Sequence, residues 1–408
     1  MSNQRKHKHR HRLGKRVLIV VAYGLCVFLL GSLLLQDAQE RTSFAKWAEA
    51  ANHGEVSSDT EQTQVEVDPG SDSSQLSDDA SEPAAQPAVQ PAETQPAGSF
   101  YQKLKAGQDV NILVLGDTVG TGEGSSAPEK SWVSLLQATL EENYDSSVSV
   151  TNLSAADATT YTGYGTLMQQ EDDGTEYDLA ILCYALGDTS DDRFSLGYEA
   201  VIRAVRNSYT QCGIIEVIEN RLENDSQRAE SMTALSEHYG TLLVDTRSSF
   251  EENDSYADDD GYPNDQGQQV YSQAICAQID QAVEADRGYS DEEIEPVNEA
   301  ASLFSEYQYY PVSEFEKVDE IRYQLELGSV SGALGIDYTA LAGTSAVDVY
   351  IDNAWVATLN NSVEEGEEQH NILLVNPACH VDSTIMLVFS NARQAEGFNG
   401  IMFSQASE

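Results

Sequence analysis

The sequence predicts two folded parts behind a membrane anchor: an α/β domain built on a parallel sheet, then a small all-β domain of sandwich or jelly-roll type. Three observations carry this. Between Phe100 and Ala285 short apolar runs alternate with amphipathic stretches, the pattern of buried strands and crossover helices. Between Ile321 and Phe403 short strand-like runs are separated by Gly, Asn and Asp, as in all-β units. Residues 17–35 carry no charge and follow a basic start, the layout of a transmembrane helix.

The elements follow in chain order. Residues 1–16 hold Arg5, Lys6, Lys8, Arg10, Arg12, Lys15 and Arg16 and no acid; this tail is expected in the cytoplasm, where positive flanks stay. Val17 to Leu35 gives 19 uncharged residues, a helix of about 28 Å that matches a bilayer's hydrocarbon thickness. A cleaved signal peptide is the rival, but Leu33-Leu34-Leu35-Gln36-Asp37 offers no small-residue cleavage site. Residues 36–99 form a juxtamembrane segment and an acidic stalk holding Pro69, Pro83, Pro87, Pro91 and Pro96. Such a composition buries no core and reads as disordered.

In the α/β part (100–285), strands are expected at Val110–Leu115, Val148–Leu153, Asp178–Leu186, Gly213–Ile218 and Thr241–Asp245. Helices are expected around Trp132–Leu140, Ala200–Tyr209, Ser226–Tyr239 and Gly267–Ala285. Residues 286–315 read as a linker. In the all-β part (316–408), runs at 321–326, 346–351, 355–359, 370–375, 384–389 and 400–403 read as strands, with Asp352-Asn353 as a hairpin turn. Trp355, Tyr350 and Tyr338 are aromatics that either pack or stack on sugars.

Composition excludes some functions. The 22 Lys and Arg stand against 68 Asp and Glu, a formal charge of -46, which repels phosphate backbones and argues against nucleic acid as a partner. The cysteines, Cys26, Cys183, Cys212, Cys276 and Cys379, form no CxxC pair and read as buried thiols; a Cys183–Cys212 or Cys212–Cys276 disulfide stays open as the alternative. Neither the histidines nor the Asp258-Asp259-Asp260 run has metal-ligand spacing. No cofactor is expected.

Four blocks carry a more specific signal. Leu115-Gly116-Asp117-Thr118-Val119-Gly120-Thr121-Gly122 follows the first strand and resembles the GDSxxxG opening of the SGNH/GDSL hydrolases. Asn152 to Thr159 is similar to that family's NxSxxGxT block. Asp178 to Tyr184 leads to the place of GxND, and Asp260-Gly261-Tyr262-Pro263-Asn264-Asp265-Gln266-Gly267 is similar to DGxHPNxxG. The resemblance implies a three-layer SGNH-like domain with a nucleophile at a strand-to-helix turn, an oxyanion hole, and a histidine oriented by an aspartate.

At each of those places the sequence departs from the pattern. Thr118 stands for the serine, Asp157 for the oxyanion glycine, and Tyr262 for the histidine. Gly187, followed by Asp188, takes the place of the oxyanion asparagine. Asp260 stands where the family's histidine-orienting acid would be, with no histidine to orient. A phenol is no base at neutral pH, and one lost oxyanion donor alone costs about 10²–10³ in rate. His238 is the one histidine of the α/β part and reads as a helix-end residue. The expectation is a membrane-anchored bacterial surface protein with an inactive SGNH-like domain. It would bind a cell-surface polysaccharide or assist a membrane-bound O-acyltransferase, partners implied by the resemblance. The alternatives are an active esterase or O-acyltransferase on acylated surface polysaccharide, and a structural surface module.

Overall fold

A computed structural model describes residues 98–406, apart from 171–173, 210, 225, 252 and 291. The basic tail, the 17–35 anchor and the stalk up to residue 97 lie outside the described residues. Among the described residues no helix is long and apolar enough to cross a membrane.

Helix α1 (Phe100–Lys105) begins at Ser99, whose hydroxyl accepts from Gln102 N while the Gln102 side chain returns to Ser99 N, a reciprocal cap that satisfies two end donors. Five parallel strands form the first sheet: β1 (Val110–Gly116), β2 (Val148–Asn152), β3 (Leu179–Cys183), β4 (Gly213–Ile218) and β5 (Leu242–Asp245), in the order β2-β1-β3-β4-β5. Helices α2 (Trp132–Tyr144), α3 (Thr160–Gln169), α4 (Asp191–Ser208), α5 (Gln227–Tyr239), α6 (Arg247–Glu251) and α7 (Asp265–Glu284) accompany it. Both faces of the sheet are buried. Ile112 and Val114 pack with Trp132, Tyr271 and Ile275, whereas Leu113 and Leu115 pack with Tyr161, Tyr198 and Met232. Successive side chains of a strand point to opposite faces, so a strand covered on both sides is apolar on both, as β3 is throughout and β1 is but for Asn111. Each such fully buried aliphatic side chain contributes about 1.5–3 kcal/mol. The strand order reverses between β1 and β3, and the carboxyl ends there form the crevice where ligands sit in such sheets.

Helix α3 has no counterpart among the expected helices. Its sequence, TYTGYGTLMQ, combines glycines and threonines of low helix propensity with no polar face. Packing overrides propensity. A Cβ at Gly163 would lie 2.0 Å from the Tyr184 hydroxyl, and one at Gly165 would lie 2.6 Å from Ile372 Cδ1. Helix α3 is thus pressed between the parallel sheet and the all-β part, and its glycines permit that approach.

The all-β part is one antiparallel sheet of β6 (Glu306–Pro311), β7 (Glu316–Lys317), β8 (Arg322–Glu326), β9 (Val330–Ile351), β10 (Ala354–Val381), β11 (Thr384–Phe389) and β12 (Phe398–Gln405), with a short helix α8 (Ala392–Ala395). The chain of separate short strands expected here is replaced by two long ones. β9 and β10 pair along 20 residue positions with several register shifts. The first part of β9 also pairs with β12 and its last part with β11, and side chains from both regions meet in one apolar cluster with Tyr338, Val349 and Phe389. The Asp352-Asn353 turn is as expected: φ is 49° and 67°, the paired positive values of a two-residue hairpin. β6 lies inside the stretch read as linker, and residues 287–298 are strapped to the α/β part. Arg206 bonds to the Ser290 and Glu292 carbonyls, and buried Glu199 accepts from Val297 N and Asn298 N. Cys183, Cys212, Cys276 and Cys379 are all free thiols, so neither open disulfide pairing is formed.

Candidate functional site

The turn after β1 places Thr118. Its side chain is buried, and its carbonyl accepts from Thr121 Oγ1 at 2.7 Å. Turns continue to residue 124 and α2 starts only at Trp132, so Thr118 does not sit at a helix N-terminus as the motif implied. Beside it is Asp157, in the left-handed region at φ 53°, which Asp tolerates better than most residues and glycine tolerates best. The Asp157 N–H donates to Thr118 Oγ1 at 2.9 Å, and Asp157 Oδ1 lies 3.4 Å from the same oxygen.

Gly187 is a packing residue. A Cβ there would lie 2.2 Å from the Ala158 carbonyl oxygen, so the β3–α4 loop can approach the Asp157 loop only without a side chain. The neighbouring Asp188 supplies the side chain instead. Its Oδ2 accepts from Thr160 N at 2.9 Å at the start of α3. Burial pushes its carboxyl up to about 6, against the pull of that N–H and of Arg228 and Arg193. Arg228 clamps the loop, donating to the Ala185 and Asp188 carbonyls and to Asp191.

Tyr262 belongs to a turn organised by Asp258, whose Oδ1 accepts from both Asp260 N and Tyr262 N. Asp260, at the place of the family's orienting acid, is an exposed member of that turn. The Arg221 guanidinium lies 4.1 Å from the centroid of the Tyr262 ring, a cation–π contact. Gly124 ties this turn to the β1 loop, since a Cβ there would lie 2.5 Å from the Pro263 carbonyl. Thr118, Asp157, Gly187 and Asp188 therefore share one rim at the carboxyl ends of β1–β3. The Tyr262 turn is packed against Gly124 of the loop after β1, while Asp260 faces solvent.

Beneath the rim is a group that sequence reasoning passed over. Asp117 is buried and accepts from Val119 N and Ala185 N. Glu219, fully buried after β4, lies against it and accepts from the Cys183 thiol at 3.3 Å. Burial and the neighbouring Asp117 push Glu219 well up, and burial also raises Asp117, against the pull of the Ala185 and Val119 N–H groups. Acids closing a strand of otherwise apolar residues, as in Glu216-Val217-Ile218-Glu219, were the available signal.

The histidines among the described residues lie elsewhere. His238 is bonded to the Glu295 carbonyl, His370 to Asp337, and His380 to Ser331 and Asp382. Among the described residues no group of three or more His, Cys, Asp or Glu could hold a metal ion.

No family model matches this sequence, and no curated protein does. Solved structures do. Two crystal structures of a two-domain esterase active on acetylated mannans, one co-crystallised with mannopentaose, match with TM-scores of 0.57 and 0.59 at 16% identity. Each match covers 76% of this chain and 96% of that one. A lipolytic G-D-S-L protein from Veillonella parvula matches over 41% of this chain and 97% of its own, at 15% identity and a TM-score of 0.34. This chain has a two-part fold similar to that of the two-domain esterase, a parallel α/β sheet joined to an antiparallel sheet.

Proposed function

We propose that this chain is a bacterial surface protein, anchored by residues 17–35 with its folded part outside. Its SGNH-like domain binds an acylated surface glycan, or serves a membrane-bound O-acyltransferase that modifies one, without hydrolysing esters itself. One observation supports this most directly: the hydroxyl of Thr118 is engaged by Asp157. Attack on an ester needs a base to take the hydroxyl proton and donors to receive the developing oxyanion. Here the N–H that would stabilise the oxyanion is given to the hydroxyl oxygen, and a carboxylate stands where negative charge would form. Tyr262, at the histidine position, is stacked against Arg221.

The test is hydrolysis of p-nitrophenyl acetate and of acetylated mannan by the full chain and by Thr118→Ala. Equal rates, together with retained binding of acetylated mannan by both, are expected. Turnover lost in Thr118→Ala would replace this reading with the esterase. That second reading rests on Asp157 Oδ1 at 3.4 Å from Thr118 Oγ1, the carboxylate bonded to the hydroxyl among the described residues and so the candidate base.

A further inference from the structure

The solvent side of the β8–β11–β9–β10 layer carries an aromatic feature far removed in role from the Thr118 rim. Trp355 is 59% exposed, the most exposed of the large apolar side chains described. In the β9–β10 pairing it stands directly opposite Tyr350, and Tyr350 stands opposite Met386 of β11. Met386 in turn faces Gln324 of β8. Side chains directly opposite on paired strands share a face, so Trp355, Tyr350, Met386 and Gln324 form one row across four strands. The intervening residues Val349, Ile351, Ile385 and Leu387 are buried in the apolar cluster beneath, which fixes this row on the outside.

The indole is also held. Trp355 Nε1 donates to Thr358 Oγ1 at 3.2 Å, and Thr358 Oγ1 donates to Asp348 Oδ1 at 2.5 Å. The register shift between Trp355 and Ala357 is a bulge that brings Trp355 and Thr358 onto the same face, as bulges do when they re-aim a side chain. Nothing in the fold requires this arrangement, because the ring covers no core. A relay that orients an exposed indole removes the entropy a ligand would otherwise lose in ordering it.

From this row we infer a saccharide-binding platform on the all-β part, with an uncharged oligosaccharide as its ligand. A pyranose ring has an apolar C–H face that lies flat on an indole and an edge of hydroxyls. Trp355 and Tyr350 supply the flat surface, and Gln324 and Asp348 supply polar groups beside it, the combination that small-ligand sites use. The net charge of -46 opposes a polyanionic glycan, and the polar members of the row make it a poor seat for an apolar protein surface. The platform is independent of the Thr118 site and of whether that site is catalytic.

Titration of the full chain with mannopentaose, cellopentaose and chitopentaose, followed by tryptophan fluorescence and calorimetry, tests this, with oligogalacturonate as the charged control. At least one neutral pentasaccharide should bind. Trp355→Ala should weaken it about tenfold or more, a loss of about 1.4 kcal/mol, with an unchanged melting temperature. Trp355→Phe should retain part of the affinity. Binding that survives Trp355→Ala, or the absence of binding to all three neutral ligands, would overturn the assignment. Concentration-dependent dimerisation abolished by Trp355→Ala would overturn it too, marking the face as a contact between copies of this chain.

Discussion

The N–H of Asp157 donates to the hydroxyl of Thr118 at 2.9 Å while its own carboxylate stands 3.4 Å from that oxygen. One residue therefore occupies the hydroxyl and supplies the only carboxylate bonded to it among the described residues. Asp157→Gly should separate these effects. Glycine adopts φ 53° freely, so the variant should fold with stability within about 1 kcal/mol of the parent. Chemical denaturation measures this. If the carboxylate is the base of a residual esterase, p-nitrophenyl acetate turnover should fall; if the domain is inactive, the rate should stay at background.

Gly187 and Asp188 differ in what they tolerate. An Asn placed at 187 to mimic the oxyanion donor would drive its Cβ to 2.2 Å from the Ala158 carbonyl. Gly187→Asn should therefore cost about 1–3 kcal/mol, read as a lower denaturation midpoint. Asp188→Asn keeps an oxygen for the Thr160 N–H and should lower the midpoint much less. A restored site should accordingly be built as Thr118→Ser, Asp157→Gly, Asp188→Asn and Tyr262→His, and esterase activity emerging from that combination would show that the scaffold still fits the chemistry.

Asp188 also makes stability depend on pH. Its carboxyl is raised to about 6 in the folded chain from about 3.9 when unfolded. Between these values the folded state binds more protons, so this group's contribution is fully present below about pH 4 and is lost as pH rises through 6. The loss is on the order of 1–3 kcal/mol. Melting temperatures of Asp188→Asn and of the parent, compared at pH 4.5 and 7.5, should favour the variant more at the higher pH. A difference independent of pH would show that Asp188 does not titrate in this range.

If residues 17–35 span the membrane, protease added to intact cells should release a soluble fragment starting within the stalk at 52–99. Full protection of the C-terminal part would contradict that topology.

Docking of the all-β part on α3 should be felt across the fold. A Cβ at Gly335 would lie 2.4 Å from the Tyr161 ring. Gly335→Val should lower the thermal midpoint of the α/β part as well as of the all-β part, as differential scanning calorimetry would record. Loss confined to a separate transition would mean that the two parts unfold independently.

Much of the α/β part was legible because its signals are local. β1, β3 and β4 are apolar runs interrupted only by Asn111 and Glu216, as expected of strands covered on both faces, and the Asp352-Asn353 turn carries its own backbone preference. Helix α3 was not legible: Gly163 and Gly165 lower its propensity, and its reason to form, contact with Tyr184 on one side and Ile372 on the other, is distant in sequence. The long β9–β10 hairpin was hidden for a related reason. Polar residues at its middle break the alternation that marks a strand, and there the pairing of β9 with β10 itself continues it.

The sequence by itself determined the charge, the uncharged 17–35 run, the strand–helix alternation, and the Thr118, Asp157 and Tyr262 that stand in the motif-like blocks. These depend on residue identity and on short-range periodicity. Tertiary structure alone decided that Asp157 bonds to Thr118, that Gly187 is a packing residue while Asp188 reaches Thr160, and that Arg221 stacks on Tyr262. It alone placed Glu219 against Asp117 and exposed Trp355 while burying Tyr338. Each of these joins residues from different strand ends or strands. Burial, proton affinity and hydrogen bonding are set by what the fold brings near a group, which a one-dimensional pattern does not contain.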